Sequence, residues 1–283
     1  MSLIGCHITK KYGILNGLKA LTEIGGSACQ IQLKSVDINF IETETDIPNN
    51  EVKEIRKYVN NNNIHLINHS IHKINLAKNP YENMTALKSL ANDIVLVSEL
   101  GGKGSVVHMG KKINQSYELS IDNMIKSLEL VYDMIKKSSG KILLENSAGE
   151  GTALYTIEDM SIIYNRLLPE VQDKIEFVID TCHSYAAGYD LTSITKVNKF
   201  YNLIEDKLKW SKVNCVHLND SYEPLDSHKD RHQNLLLGYI SCNNNNIKGM
   251  INLIQMIKKI NKPIILETDP CLHIAEIQII KNL

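Results

Sequence analysis

Eight short apolar runs, each followed by a longer stretch with helical periodicity, constrain the fold of this chain more than anything else in it. The runs are LIGCHI (3–8), ACQIQL (28–33), IHLINH (64–69), SVVHM (105–109), KILLEN (141–146), FVIDT (177–181), NCVHLN (214–219) and PIILET (263–268). Short runs that are nearly continuous in apolar residues belong to strands buried on both faces, the mark of a parallel sheet covered by helices. Helical patterns lie near 14–23, 48–60, 80–99, 116–138, 156–168, 191–209, 246–259 and 272–282. Within 116–138, Leu119, Ile121, Met124, Ile125, Leu128, Leu130, Val131 and Ile135 form a helix-like apolar stripe. Eight β-α units in 283 residues suit a (β/α)8 barrel, which typically takes about 250 residues. A doubly wound sheet usually needs fewer strands, and no glycine-rich phosphate fingerprint follows the first run. The expected class is therefore α/β, a TIM barrel forming one domain over residues 1–283, with its site at the C-terminal ends of the strands.

Several alternatives are excluded by what is missing. No run of about 18 apolar residues suggests a membrane span. MSLIGCHITK lacks the basic start and long apolar core of a signal peptide and reads as a first strand. Six cysteines, none in a C-x-x-C pair, point to reduced, small buried side chains in an intracellular, reducing compartment. The asparagine runs 60–63 and 243–246 read as loop insertions. A net charge of −1 gives no basic footprint of the kind a nucleic-acid binder usually carries.

The ends of the runs are where chemistry gathers. The third ends in His69, the fourth in His108, the fifth in Glu145 and the sixth in Asp180, with His183 just beyond; the seventh carries His217 and the eighth ends in Glu267. In a barrel these positions converge on one face. A lone histidine or carboxylate there is more often a structural hydrogen bond or salt bridge. Several buried carboxylates together need compensation, because like charges drive protonation. Divalent cations supply it, and mixed imidazole and carboxylate ligands suit Zn²⁺ first, with Mn²⁺ or Fe²⁺ as substitutes at one or more sites. The long connection from about 220 to 241 adds DSHKDRHQN, whose Asp230 and His232 form an Asp-x-His pair able to clamp an ion.

These residues sit in a wider pattern: GCHITKKYG (5–13), NHSIHKINLA (68–77), VVHMG (106–110), LLENSAGEGT (143–152), VIDTCHSYAAGYD (178–190), VHLNDS (216–221), DRH (230–232) and ILET (265–268). Nearly end to end, the chain resembles the endonuclease IV family of zinc-dependent apurinic/apyrimidinic endonucleases. The resemblance implies three Zn²⁺ ions: one on His69, His108 and Glu145, a second on Glu145, Asp180, His217 and Glu267, and a third on His183, Asp230 and His232. It implies hydrolysis of the phosphodiester 5′ to an abasic site, leaving a 3′-hydroxyl and a 5′-deoxyribose phosphate. A metal-bound hydroxide would be the nucleophile, with Glu145, Asp180, His183 and Glu267 at the catalytic centre. Repair of blocked 3′ ends is expected too.

The partner is then double-stranded DNA, met by a monomer with no membrane association, in the cytoplasm or nucleus, or in a viral particle or factory if the source is a virus. The six positive charges of three divalent ions would outweigh the net −1. Expected substrate contacts are His7, Gln32, Lys34, His72, Lys73, Asn219 and Arg231, with Asn219 also able to support ligands. Lys10, Lys11, Lys111 and Lys112 are further candidates to track phosphates.

Some positions differ from the family pattern. His72 and Lys73 stand where an aromatic and an aliphatic residue usually wedge into DNA. Asp37 stands in the region of an expected arginine, Tyr222 replaces a lysine and Asp226 a glycine, and Leu236, Leu237 and Gly238 replace a Gly-Glu-Gly run. Two other readings remain open here. A xylose-isomerase-like sugar isomerase or epimerase needs one or two ions and leaves His183, Asp230 and His232 unexplained. A catalytically silent binder of abasic DNA would bind without turnover.

Overall fold

The structure is a computed structural model that describes residues 2–9, 11–34, 47–112, 114–151, 154–242 and 247–283. Lys10, Asp37 and the run Asn243 to Asn246 lie outside the described residues. Eight parallel strands close into a barrel: β1 (Ile4–His7), β2 (Ala28–Ile31), β3 (His65–His69), β4 (Gly104–His108), β5 (Lys141–Glu145), β6 (Ile175–Asp180), β7 (Val213–His217) and β10 (Ile264–Leu266). The order around the barrel is sequential and closes through β1 on β10. Every apolar run of the sequence supplies one of these strands, so the expected barrel is the observed one.

Helices follow the strands: α1 (Ile14–Glu23), α2 (Asn49–Asn61), α3 (Met84–Glu99), α4 (Tyr117–Ile135), α5 (Ile157–Arg166), α8 (Ile194–Lys207), α10 (Lys248–Lys259) and α11 (His273–Asn282). Their starts have local causes. Ser116 caps α4 by accepting from Leu119 N, and Thr156 and Asp159 form a reciprocal capping box on α5. In α3, Leu87, Leu90, Ile94 and Val97 recur on one face and are fully buried against the barrel. Burying a side chain of that size is worth about 1.5–3 kcal/mol. The short helices α6 (Pro169–Gln172), α7 (Thr181–Ala186) and α9 (Tyr239–Cys242) are additions to the sequence expectation.

Strand residues alternate between two cores. The outer core packs strands against helices. A separate inner cluster holds Ala28, Ile67, Val106, Leu143, Val178, Cys215 and Ile265, one residue from each strand except β1. Because strand side chains repeat their direction every two residues, the next inward positions toward the C-terminal ends are Gln30, His69, His108, Glu145, Asp180, His217 and Glu267. An apolar plug thus carries a polar ring, and the ring holds six of the nine expected ligands.

The long connection after β7 is not free. Its ends pair as a two-residue antiparallel ladder, β8 (Asp220–Ser221) with β9 (His232–Gln233), placing His232 opposite Ser221. The span between is tied to α7, with Asp226 N donating to Tyr185 O and His228 N to Ala186 O. Leu236 and Asp226, two of the positions that differ from the family's glycines, keep positive φ angles of 68° and 60°. Leu236 therefore holds a backbone state that glycine adopts at lower cost. Four cysteines are buried as expected, whereas Cys242 and Cys271 are exposed. Cys6, Cys29 and Cys215 lie in barrel strands and Cys182 in α7, whereas Cys242 ends the short helix α9 and Cys271 precedes α11.

Candidate metal centre

Glu145 is the centre of the polar ring and is fully buried at the end of β5. Its two oxygens face different groups. Oε2 lies 3.0 Å from His108 Nε2 and 3.5 Å from His69 Nε2. Oε1 lies 2.6 Å from His217 Nδ1, which is itself 3.1 Å from Glu267 Oε2. Glu145, Asp180, His217 and Glu267 each bring a ligand atom within 4.8 Å of the other three. His183, Asp230 and His232 form a second such group, with Asp230 Oδ1 at 3.1 Å from His183 Nε2 and 3.2 Å from His232 Nε2. His69 and His108 approach to 3.2 Å between Nε2 atoms, and the group there also contains His72. Asp180, Cys182 and His232 make a fourth combination from overlapping residues.

Local structure explains the aim of each ring. Asp180 caps α7 by accepting from His183 N at 2.7 Å, so the turn that ends β6 also delivers His183. The Nδ1 atoms of His69 and His183 lie 2.6 Å from Ser70 O and 2.9 Å from Asn146 O. A carbonyl accepts only from a protonated nitrogen, so each contact leaves the Nε2 lone pair directed at the cluster, the usual arrangement behind a metal-ligating imidazole. Asn219 donates to Asp180 Oδ2 at 2.7 Å and accepts from Glu267 N at 2.9 Å. Thr181 fixes Asn219 through its hydroxyl, which donates to the Asn219 carbonyl.

Burial and the facing charges act in opposite directions on several of these groups. Burial disfavours ionising Glu145, but His217 and His108 outweigh it and hold the carboxyl well below its usual range. Burial opposes an imidazolium at His217 too, yet Glu267 and Glu145 hold it well above the ordinary histidine value. His183 is raised likewise by Asp180 and Asp230 against burial, and His232 to about 9, mainly by Asp180 against burial. Burial pushes the Asp180 carboxyl up. Glu145 Oε2, His183 Nε2 and His232 Nε2 are buried and make no hydrogen bond of proper geometry. Buried polar atoms are rarely left so, and all three point into the groups that could hold an ion. The donor set of imidazoles and carboxylates fits Zn²⁺-type ions.

The other expected residues divide. His7, Gln32, His72 and Arg231 line a cavity of about 530 Å³ over the ring, together with Tyr222 and His273. Lys73 lines an adjoining cavity of about 420 Å³ with Lys78 and Lys111. Lys11 and Lys112 are exposed. Lys34 is a correction: it is buried, pairs with Asp93 at 3.0 Å and donates to Ser89, so it does not face the cavity. Asn219 is a second correction, fully buried and engaged with the Asp180 carboxylate and the Glu267 backbone N–H rather than open to substrate. His65 is buried against Asn214 and His273 against Thr268 O, both structural. Gln30 was missed; it donates to Glu267 Oε1 at 2.5 Å and sits 3.2 Å from His7 Nδ1. Counting by twos from Ala28 would have found it. Asn146 was missed as well, and only the fold reveals its bonds to Asp180 and Ser184.

Residues 23–283 match the family model described as xylose isomerase-like TIM barrel. A probable endonuclease 4 of Thermosipho africanus is 32% identical over 98% of this chain and 97% of its own length. A putative endonuclease 4 of Acanthamoeba polyphaga mimivirus is 29% identical over 94% of this chain and 85% of its own. The crystal structure of endonuclease IV from Thermus thermophilus shares the fold with a TM-score of 0.81 at 24% identity, covering 99% of this chain and 98% of that one. Among the described residues no helix is long and apolar enough to cross a membrane.

Proposed function

This chain belongs to the xylose isomerase-like TIM-barrel family and, within it, to the endonuclease IV group, and from that membership we propose that it is a metal-dependent repair nuclease. It hydrolyses the phosphodiester 5′ to an abasic site in double-stranded DNA, leaving a 3′-hydroxyl and a 5′-deoxyribose phosphate, and clears blocked 3′ ends. The observation that carries this reading is the convergence of nine side chains on one end of the barrel, with the two oxygens of Glu145 facing His69 and His108 on one side and His217 on the other, and His183, Asp230 and His232 grouped beside them. His69, His108 and Glu145 would hold one Zn²⁺, Glu145, Asp180, His217 and Glu267 a second, and His183, Asp230 and His232 a third, with Mn²⁺ or Fe²⁺ as substitutes. Bound there, such ions supply a water nucleophile at neutral pH and Lewis acidity toward phosphate oxygens.

The chain's own residues do the rest. Asn219, Gln30, Asn146 and the backbone carbonyls behind His69 and His183 fix the ligand atoms before substrate arrives, which lowers reorganisation during reaction. Lys73, Lys78 and Lys111 line the adjoining cavity and would neutralise strand phosphates. His7, Gln32 and Tyr222 line the cavity over the ring and would receive the extruded nucleotide. An abasic nucleotide has no base to unstack, so its extrusion costs less than that of an intact one. A sugar isomerase would use one or two ions and leave His183, Asp230 and His232 without a task. The chain acts as a monomer in an intracellular, reducing compartment.

The test uses a duplex carrying one tetrahydrofuran abasic analogue, which resists β-elimination. The loaded protein should give one product ending in a 3′-hydroxyl on the 5′ side of the lesion, and chelation should abolish it. An intact duplex after incubation with fully loaded protein would contradict the proposal.

A further inference from the structure

The turn after β3 places one histidine where no ligand was expected. Ile71 and Ile74 are buried and closed on each other by the Ile74 N to Ile71 O hydrogen bond, so the turn is pinned at both sides. His72 stands at its apex, exposed, with its ring leaning inward over the polar ring. Its centroid is 4.9 Å from that of His69 and 5.0 Å from that of His108. One ring nitrogen from each of His69, His72 and His108 lies within 4.8 Å of the others. Ligand atoms around a tetrahedral zinc ion are separated by about 3.3 Å, given zinc–nitrogen bonds near 2.0 Å. The pair His69 and His108 already meets that spacing, and a side-chain adjustment of roughly 1.5 Å would bring His72 to it.

We propose that His72 is a fourth, detachable ligand to the ion held by His69, His108 and Glu145, closing that ion's coordination in the DNA-free protein. The inference rests on the three-ion reading above and adds to it. With His72 attached, this ion would have four protein ligands, the number that fills a tetrahedral zinc site; with His72 away it would keep one position open. His69, His108 and Glu145 are held by strands β3, β4 and β5, but His72 rides on a surface turn. It is therefore the ligand that can leave, and DNA entering the shared cavity would be what displaces it. Lys73 beside it lines the adjoining cavity, so a phosphate drawn to Lys73 would pull on the same turn. An aromatic residue without a donor nitrogen at this position could fill a gap in DNA but could not close the ion.

The experiment measures ion release from the intact, loaded protein to a chromogenic chelator, without DNA. The variants are His72→Phe, which keeps an aromatic ring, and His72→Asp, which restores a ligand atom. One ion should leave His72→Phe roughly 100-fold faster than the wild type, since even outer partners of a ligand change affinity by about 10–100-fold. The other two ions should keep wild-type kinetics, and His72→Asp should recover slow release. Identical release of all ions from wild type and His72→Phe would overturn the proposal while leaving the three-ion reading intact. A wild-type protein that holds no ion at His69, His108 and Glu145 would instead overturn that reading itself.

Discussion

Asn219 shows how much of the site depends on residues that never meet substrate. Its amide donates to the Asp180 carboxylate and accepts from the Glu267 backbone N–H, so one side chain ties together the ends of two strands. Asn219→Ala should weaken ion retention by about 10–100-fold with little change in KM for abasic duplex, measured by titration against a chelator and by steady-state nicking. A raised KM with normal ion retention would restore the substrate-contact role expected from sequence. The nine proposed ligands were legible because each ends an apolar strand run or sits in a specific motif. Lys34 was not, because its partner Asp93 lies on helix α3, far along the chain. Gln30 and Gln32 share the phase set by Ala28 in ACQIQL, and depth separates them: Gln30 lies within β2 and bonds Glu267, whereas Gln32 lies past the strand end and lines the cavity.

At the scale of elements, the strands have two different ends. The C-terminal ends carry the proposed ligands, while at the opposite end His65 of β3 bonds Asn214 of β7 at 2.8 Å, and Asn214 donates to Glu176 of β6 at 2.6 Å. Burial lowers His65 to about 4, with Asn214 acting against that and Lys103 and Lys262 adding to it. The folded chain therefore keeps His65 neutral, while the unfolded chain takes up a proton below its ordinary value of 6.5. Stability from this residue is complete above pH 6.5 and falls as pH drops toward 4, by up to about 3 kcal/mol. His65→Gln should lose less stability than the wild type between pH 7 and pH 4.5 in urea denaturation. Parallel losses in the two proteins would contradict the buried, neutral assignment. The eight strands and eight main helices were readable from periodicity. Helices α6, α7 and α9 and the β8–β9 ladder were not, since segments of two to six residues carry too little pattern to be recognised.

For the molecule as a whole, the fold explains why an acidic ring can sit inside a chain of net charge −1. A layer of seven apolar side chains seals the barrel beneath the ring, and the tied-down connection after β7 brings Asp230 and His232 in from the side. The barrel alone would serve a sugar isomerase as well as a nuclease, because fold does not fix function. On the proposed reading, what separates them is the third group, His183, Asp230 and His232, and thus the number of ions. The most direct measurement is the metal content per chain of the intact protein, by elemental analysis alongside native mass. Three divalent ions per chain, all lost together with abasic-site cleavage on chelation, is the predicted result. One or two ions per chain in fully active protein would contradict the three-ion centre.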